Sequence, residues 1–459
     1  MLIPKIKRRF AASNFYLAII LTVLFGTLAI SAQENFNKAE FAARRAKVFE
    51  KIGDGAAIIF ANEKHRYSVK FRQSPDFYYL TGIEEPDAIL VLSGAQKRSF
   101  IFARRRQPWQ KTVEGPGIFD LKNAADFYGL TAILPLDDFF TALGSRMTRT
   151  TKIYAPLTPP DDLQFARDEM PFSENEALNH PLNSTPARHK QAINKLKEWQ
   201  PQLSFADINP ILNELRWVKS PYEIERMRMA GKIGAEGVRE AIKGTKAGMF
   251  EYELEAAARF IYVKRGARGD AFMPIVASGA NTMIVHYTNN NRQMKDGDVV
   301  LMDYGADYDY YTSDITRTWA VSGKFTPAQE KMYLCILEAR NAIIAAMKPG
   351  VSVNNLRAVA ARVYKKHGFE SQFEESDRYV GHFVGLSVHD VGDDDRPFVP
   401  GVTFNVEPLI QDEKLQIHMR LEDTILITAT GAENMTADVP AELEEIYALQ
   451  RQKPLTPSE

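Results

Sequence analysis

Asp296–Thr318 reads DGDVVLMDYGADYDYYTSDITRT, and Phe404–Thr428 reads FNVEPLIQDEKLQIHMRLEDTILIT. In the first, Val299 to Met302 and Ile315 to Val321 have strand character, with Ala306 to Tyr311 as the turn between them. In the second, Phe404 to Ile410 and Ile417 to Thr428 fold back around Lys414 and Leu415. A turn centred between Tyr308 and Asp309 sets Asp303 opposite Asp314, and a turn centred on Lys414 and Leu415 sets Glu407 opposite Glu422. Like charges directly opposed on neighbouring strands repel unless a cation lies between them, and carboxyls crowded together in a protein interior hold a proton instead. Either pair alone fits an exposed hairpin of solvated acids. Both pairs together with His382 point to a buried site for more than one cation. Neither turn has an Asn-Gly or Asp-Gly signal, so a bulge in the register stays open.

The rest of the chain limits what such a site can serve. At 459 residues, 45% hydrophobic and 25% charged, it has a globular composition and a length that favours two domains. A net charge of −1 leaves no electrostatic footprint for nucleic acid, and Arg104, Arg105 and Arg106 read as a solvated face. At the start, Lys5, Lys7, Arg8 and Arg9 precede an apolar run from Phe15 to Ile30, followed by Ser31, Ala32 and Gln33. Residues 1–32 therefore read as a secretory signal peptide cleaved after Ser31 or Ala32, which makes the protein an exported one, periplasmic or secreted. An uncleaved N-terminal membrane anchor is the alternative, although the run is shorter than the roughly 20 residues a span needs. Cys335 is the only cysteine, which excludes an intramolecular disulfide and suggests a buried structural thiol.

Short strands alternate with helices after the signal segment, most clearly Ala56 to Phe60, Ala88 to Leu92 and Ser99 to Ala103. This is an α/β domain over residues 36–180. Thr158 to Thr185, rich in Pro, Asp, Asn and Ser, reads as a boundary, and a second domain covers residues 205–450. Ser220-Pro221-Tyr222-Glu223 is a capping box with proline in the first helical turn, and Thr326-Pro327-Ala328-Gln329 opens a second helix in the same way. After each helix the same residues recur: Lys246, Gly248, Leu254, Ala256, Ala258, Tyr262, Lys264 and Gly266 return as Lys348, Gly350, Leu356, Ala358, Ala360, Tyr364, Lys366 and Gly368, each displaced by 102. The second domain therefore reads as an internal duplication. His286 and His389 are related by 103 residues, and Asp303 and Glu407 by 104, so each half supplies one histidine and one carboxylate hairpin. Two halves facing across a pseudo-twofold axis leave a cleft between them, which is where the metals belong.

Asp303, Asp314, His382, Glu407 and Glu422 form the candidate ligand set. Oxygen donors with a single imidazole suit Mn²⁺, with Zn²⁺, Co²⁺ and Fe²⁺ left open by residue type. Four ionised carboxylates neutralise two divalent ions, which at roughly 3.5 to 4 Å apart would share a water and supply hydroxide as nucleophile near neutral pH. Glu407 is the ligand chosen to accept that water's proton and deliver it later. His286 and His389 are candidate catalytic and substrate-binding residues, able to hold substrate or stabilise a tetrahedral oxyanion. Each alone would pass for a structural histidine, but the repeat pairs them and both lie close in sequence to a ligand. Arg420, two residues before Glu422 and on the same strand face, joins the substrate-binding set as a holder of a carboxylate. A simple salt bridge is its plainer reading. The acidic run Asp393 to Asp395 reads as a solvated loop, with capture of a substrate amino terminus as the alternative.

The motifs VASGANTMIVHYTNN and DGDVVLMDYGADYDYYTSDITRT within Ile275 to Thr318, then GHFVGLSVHDVG, NVEP and MRLEDTILIT, resemble the Xaa-Pro aminopeptidases of the pita-bread metallopeptidase superfamily. FRQSPDFYYLTGIEEPDAILVL, Phe71 to Leu92, is similar to the N-terminal domain of the same enzymes, so the resemblance spans nearly all of the chain after the signal segment. It implies an α+β protein, with an N-terminal α/β domain followed by a duplicated pita-bread catalytic domain. It further implies a dinuclear centre, usually manganese, on the five ligands, with His286 and His389 near the substrate. The implied activity is removal of an N-terminal residue that precedes proline, by an enzyme that forms dimers or tetramers. Two features depart from the family pattern. Arg378 stands where many relatives have a histidine, four residues before His382, and Leu409 follows Glu407-Pro408 where glycine is common. The rival readings are a prolidase, which takes only Xaa-Pro dipeptides, and a non-catalytic peptide- or protein-binding module on the same fold. Intact ligand positions argue against the second. Methionine aminopeptidases lack the N-terminal domain, and creatinase-like relatives do not keep this ligand set.

Overall fold

The computed structural model describes residues 36–64, 70–144, 150–158, 170–182, 184 and 186–455, so the signal-like segment 1–32 lies outside the described residues. Among the described residues no helix is long and apolar enough to cross a membrane. The central N-terminal strands are apolar on both faces, as a sheet covered on two sides requires. Ala56–Phe60 (β1), Ile89–Ser93 (β2), Arg98–Ala103 (β3), Ala132–Pro135 (β4), Lys152–Ala155 (β5) and Ser204–Asp207 (β6) form one sheet in the order β4-β3-β2-β1-β5-β6. Ala57, Ile59, Leu90, Leu92 and Ile101 face one core, while Ala56, Ile58, Val91, Phe100 and Phe102 face another. The first of these cores is shared with the second domain, because it also contains Tyr310, Tyr311, Val384 and Leu386. The described part of the stretch from Thr158 to Thr185 includes a helix, Met170–Asn179, and the expected boundary moves: β6 pairs with β5, so the N-terminal domain runs past 180 to Asp207 and the second domain begins after 205.

The second domain shows the duplication directly. Helices Pro221–Ile242 and Glu251–Lys264 pack together, as do Pro327–Ala346 and Val353–His367. Both capping boxes form, with the Ser220 hydroxyl accepting from the Glu223 amide and the Thr326 hydroxyl from the Gln329 amide. The repeated glycines sit at matching points of the backbone: Gly248 and Gly350 have φ of 94° and 89°, and Gly266 and Gly368 have 83° and 76°. These left-handed angles suit glycine, which explains why the repeat keeps it there. Cys335 is buried and free on the helix Pro327–Ala346, as expected.

The strands that carry the acids are Gly269–Asp270 (β7), Ile275–Ser278 (β8), Val299–Asp303 (β9), Ala306–Tyr308 (β10), Tyr311–Thr312 (β11), Thr316–Ala320 (β12), Thr403–Val406 (β13), Leu409–Asp412 (β14), Ile417–Arg420 (β15), Asp423–Ile427 (β16) and Ala432–Asn434 (β17). They pair as β12-β9-β8, β11-β10-β7, β13-β16-β17 and β14-β15. The second hairpin has the expected register, since β14 and β15 set Leu409 opposite Arg420, and β13 and β16 set Val406 opposite Asp423. Glu407 and Glu422 face each other in the gap between these ladders.

The first hairpin corrects the expected register by two residues. Thr316, not Asp314, stands opposite Asp303, and the turn lies at Asp309 and Tyr310 with φ of 51° and 74°. Two positive φ values are the signature of a type I′ turn, here built without glycine. The N-terminal domain, together with Asp307, which accepts from the Tyr310 amide at 3.0 Å, holds Tyr310 in this conformation. Its ring stacks on Tyr78 at 3.6 Å, its carbonyl accepts from Arg72 at 3.2 Å and its hydroxyl accepts from the Gln73 amide at 3.1 Å. A slip of one residue turns every side chain to the other face, whereas a slip of two keeps each on its own. Asp303 and Asp314 therefore remain on one face, diagonal rather than opposed.

Candidate metal centre

The two hairpins and one loop meet at His382. The backbone before it pairs along β13 as β8 pairs along β9: the Asn405 amide donates to the His382 carbonyl at 2.7 Å, and the Glu407 amide to the Val380 carbonyl at 2.8 Å. Gly381 has a φ of 134°, and a Cβ there would lie 1.8 Å from the Asn405 carbonyl oxygen, so the close approach that carries His382 into place requires glycine. The His382 Nδ1 faces the Phe383 carbonyl at 3.1 Å. That contact gives the proton to Nδ1 and turns Nε2 inward. Nε2 lies 3.3 Å from Asp314 Oδ2, 3.3 Å from Glu422 Oε1 and 3.8 Å from Glu407 Oε2. Ligand atoms of Asp314, His382 and Glu422 all fall within 4.8 Å of one another.

Asp303 and Glu407 are joined to this group by Arg420, whose side chain is buried. Its Nη2 pairs with Asp303 Oδ2, its Nη1 lies 3.0 Å from Glu407 Oε1, and its Nε donates to the Thr316 hydroxyl at 3.1 Å. The guanidinium thus holds two of the five expected ligands. Glu422 is the most fully satisfied acid, accepting from Thr316 at 2.7 Å and from the Asn405 side chain at 2.9 Å. Two oxygens in this centre, Asp303 Oδ1 and Asp314 Oδ1, are buried without a hydrogen-bond partner.

The electrostatics state the same problem. Burial, with Glu422 and Asp303 nearby, pushes Asp314 well above the usual carboxylate range, and burial with the Glu422 charge raises Glu407 to about 8. Burial raises Asp303 to about 6 against the opposing pull of Arg420. Glu422 is also penalised by burial, but the hydrogen bond from His382 and the charge of Arg420 outweigh it and hold it down at about 2. His382 is buried too, yet its contacts with Asp314 and Glu422 raise it well above its ordinary value. Protein groups alone leave excess negative charge here. Hard oxygen donors, one inward imidazole nitrogen and two orphaned carboxylate oxygens fit a divalent cation.

All of the expected site residues line one cavity of about 550 Å³: Asp303, Asp314, His382, Glu407 and Glu422 together with His286, His389 and Arg420. The His389 and His382 rings lie 3.9 Å apart between centroids. Tyr379 and His418 also line the cavity and were missed in the sequence. The Tyr379 hydroxyl donates to Glu407 Oε2 at 2.7 Å. His418 precedes Arg420 by two residues, so the alternation that placed Arg420 beside Glu422 could have found it. Burial holds its imidazole down at about 3, and both ring nitrogens lack a hydrogen-bond partner. Arg378 is not among the cavity residues; it is half exposed beside Glu374 at 3.6 Å. Asp393, Asp394 and Asp395 form a loop in which Asp394 pairs with Arg357 at 2.6 Å.

Residues 225–429 match metallopeptidase family M24, and residues 41–154 match the aminopeptidase P N-terminal domain. The chain is 32% identical to the Xaa-Pro aminopeptidase of Escherichia coli (strain K12), covering 90% of this chain and 98% of that one. It is 31% identical to the Xaa-Pro aminopeptidase 3 of Mus musculus, covering 89% and 85%. The solved structure of Pseudomonas aeruginosa aminopeptidase PepP superposes with a TM-score of 0.78 at 28% identity, over 90% of this chain and 98% of that one. By contrast, the Xaa-Pro dipeptidase of Pyrococcus furiosus, at 33% identity, matches only 53% of this chain.

Proposed function

Because the chain belongs to metallopeptidase family M24, with the N-terminal domain of aminopeptidase P ahead of the catalytic one, we propose that it removes the N-terminal residue from peptides with proline in second position. It is a metal-dependent exopeptidase of the Xaa-Pro aminopeptidase type. The observation that carries this reading is the convergence of four carboxylates and His382 Nε2 on one cavity, with two buried oxygens left unpartnered. Asp303, Asp314, His382, Glu407 and Glu422 would hold two divalent ions, manganese before zinc, cobalt or iron, since oxygen donors dominate the set. Bound there, the ions supply Lewis acidity and bring the pKa of water towards neutrality.

The chain's own groups do the rest. Glu407 accepts a proton from the attacking water and delivers it to the proline nitrogen as that nitrogen leaves. Tyr379 and Arg420 fix the two oxygens of Glu407, so that the carboxylate keeps one orientation while it exchanges the proton. His286 and His389, on opposite repeats, bind the peptide and offer hydrogen bonds to the oxyanion that develops at the scissile carbonyl. Arg420 acts here through Asp303 and Glu407. We further read the N-terminal segment as an export signal and the assembly as a dimer or tetramer.

Rates on Xaa-Pro dipeptides beside Xaa-Pro-Yaa tripeptides and longer peptides test the assignment. Turnover of the longer peptides supports it, and cleavage of dipeptides alone would move the chain to the dipeptidases. Stripping with a chelator should abolish turnover, with about two equivalents of divalent metal restoring it. Full activity after stripping would refute the metal mechanism.

A further inference from the structure

His389 closes a loop whose back is fastened to the N-terminal domain. The next residue, Asp390, has a side chain only 1% exposed; its Oδ1 pairs with Arg216 Nη2, and its Oδ2 accepts from the Leu386 amide at 3.3 Å and faces Lys219 Nζ at 3.7 Å. Arg216, equally buried, reaches Asp76 at 2.8 Å on the N-terminal helix Pro75–Thr81. Two acids and two cations thus balance in a buried cluster, where each charge depends on the others because losing one leaves another uncompensated. A Cβ at Gly385 would lie 2.0 Å from Asp390 Oδ2, so the loop wraps closely around this carboxylate. A second tie comes from Arg72, which donates to the Leu386 carbonyl at 2.8 Å while pairing with Asp307 at 2.8 Å. The packing agrees with the polar contacts, since Phe77, Tyr78 and Leu80 share one core with Val384 and Leu386.

We propose that the N-terminal domain positions His389 for the reaction, through the buried chain Asp76, Arg216 and Asp390 and through Arg72 at the Leu386 carbonyl. The inference rests on the substrate role given to His389 above. The loop between His382 and Asp390 has no regular structure apart from the bridge of Phe383 to Phe404; Thr403 and Thr312 of the catalytic domain hold its Val384 and Gly385 carbonyls, and the anchors from the N-terminal domain take over at Leu386 and Asp390, next to His389. Catalytic groups tolerate little displacement, and a shift of about 1 Å costs on the order of 10²-fold in rate. Asp76 does not line the catalytic cavity and can act there only through the residues that do. Asp76, Arg216 and Arg72 are positioning residues in this scheme.

The test is a double-mutant cycle on the full-length, metal-loaded protein, with Asp76→Asn, His389→Ala and the pair assayed for kcat and KM on an Xaa-Pro-Yaa peptide, each normalised to folded, metal-containing enzyme. Asp76→Asn should lower kcat/KM by about 10²-fold without changing metal content, and should cost less than about twofold more once His389 is alanine, because residues acting as a unit are non-additive. Arg72→Lys, which leaves the Asp76 cluster intact, should give the same non-additivity and serves if Asp76→Asn does not fold. An Asp76→Asn enzyme that melts earlier but keeps full kcat/KM overturns the proposal. So does an equal loss in both backgrounds. Full activity in His389→Ala removes the role of His389 and the proposal with it, whereas a disabled His389→Ala beside an unaffected Asp76→Asn overturns the proposal alone.

Discussion

With Nδ1 committed to the Phe383 carbonyl, His382 meets three carboxylates through Nε2 either as a cation or across one. Without metal the first course is favoured, with Asp314 and Glu407 shifted towards their protonated forms and Glu422 left ionised. A carboxyl whose pKa is raised on folding keeps a proton that the unfolded chain gives up, so Asp303, Asp314 and Glu407 cost stability as pH rises from about 4 to about 8. His382, also raised, contributes stability that is lost as pH rises through its elevated value. Glu422 has the opposite sign, and its contribution disappears only as pH falls from about 4 towards 2. Metal-free protein should therefore melt at a lower temperature at pH 8 than at pH 6, and a divalent ion should raise Tm more at pH 8; thermal scans with and without chelator check this, and a larger metal effect at pH 6 would contradict it. At the same scale, Glu407→Gln should lower kcat by about 10²- to 10⁴-fold in a folded protein. Tyr379→Phe removes one hydrogen bond to that carboxylate and should cost about tenfold, a loss of about 1.5 kcal/mol as for a bond to a charged acceptor.

The hairpins, as elements, are where local rules succeeded once and missed once. In the second hairpin the tip at Lys414 and Leu415 has ordinary local chemistry, with Asp412 accepting from both of their amides at 2.9 Å, and the register follows from the chain itself. In the first, the turn at Asp309 and Tyr310 needs two left-handed residues without glycine, and the local bond from the Tyr310 amide to Asp307 is joined by Tyr78, Arg72 and Gln73 of another domain. Glycine, the usual local signal for such a turn, is missing. The acids still reached one site because the error was an even number of residues. The loop into His382 depends on a different local feature, the close approach at Gly381. Gly381→Ala should destabilise the protein by about 2–3 kcal/mol and reduce bound metal, as read by denaturant titration and metal analysis; wild-type stability would show that the backbone there can relax. Behind the ligands, Asp423 pairs with Arg317 at 2.9 Å and Arg340 at 2.5 Å in full burial. Asp423→Ala should cost about 3–5 kcal/mol by leaving two cations unpaired, a loss measurable in the same titration.

At the scale of the whole molecule the two domains are one packed body, since Tyr310, Tyr311, Val384 and Leu386 complete a core that begins at Val48 and Ala57. A chain cut to residues 205–455 would expose that surface and lose Asp76 and Arg72, so it should aggregate or elute as a broad species in size-exclusion chromatography and show little turnover; a monodisperse, fully active fragment would contradict the shared core. The sequence by itself determined the duplication, the capping boxes, the five-residue set and the face on which Asp303, Asp314, Glu407 and Glu422 lie, because periodicity and charge opposition act over a few residues and leave their pattern in the chain. Tertiary structure alone decided the register at Asp309 and Tyr310, the clamp of Arg420 on Asp303 and Glu407, the place of Tyr379 against Glu407, and the tie from Asp76 to the His389 loop. These depend on contacts between residues that are distant in sequence, such as Arg420 with Asp303 and Asp76 with Arg216, whose geometry exists only once both domains have packed.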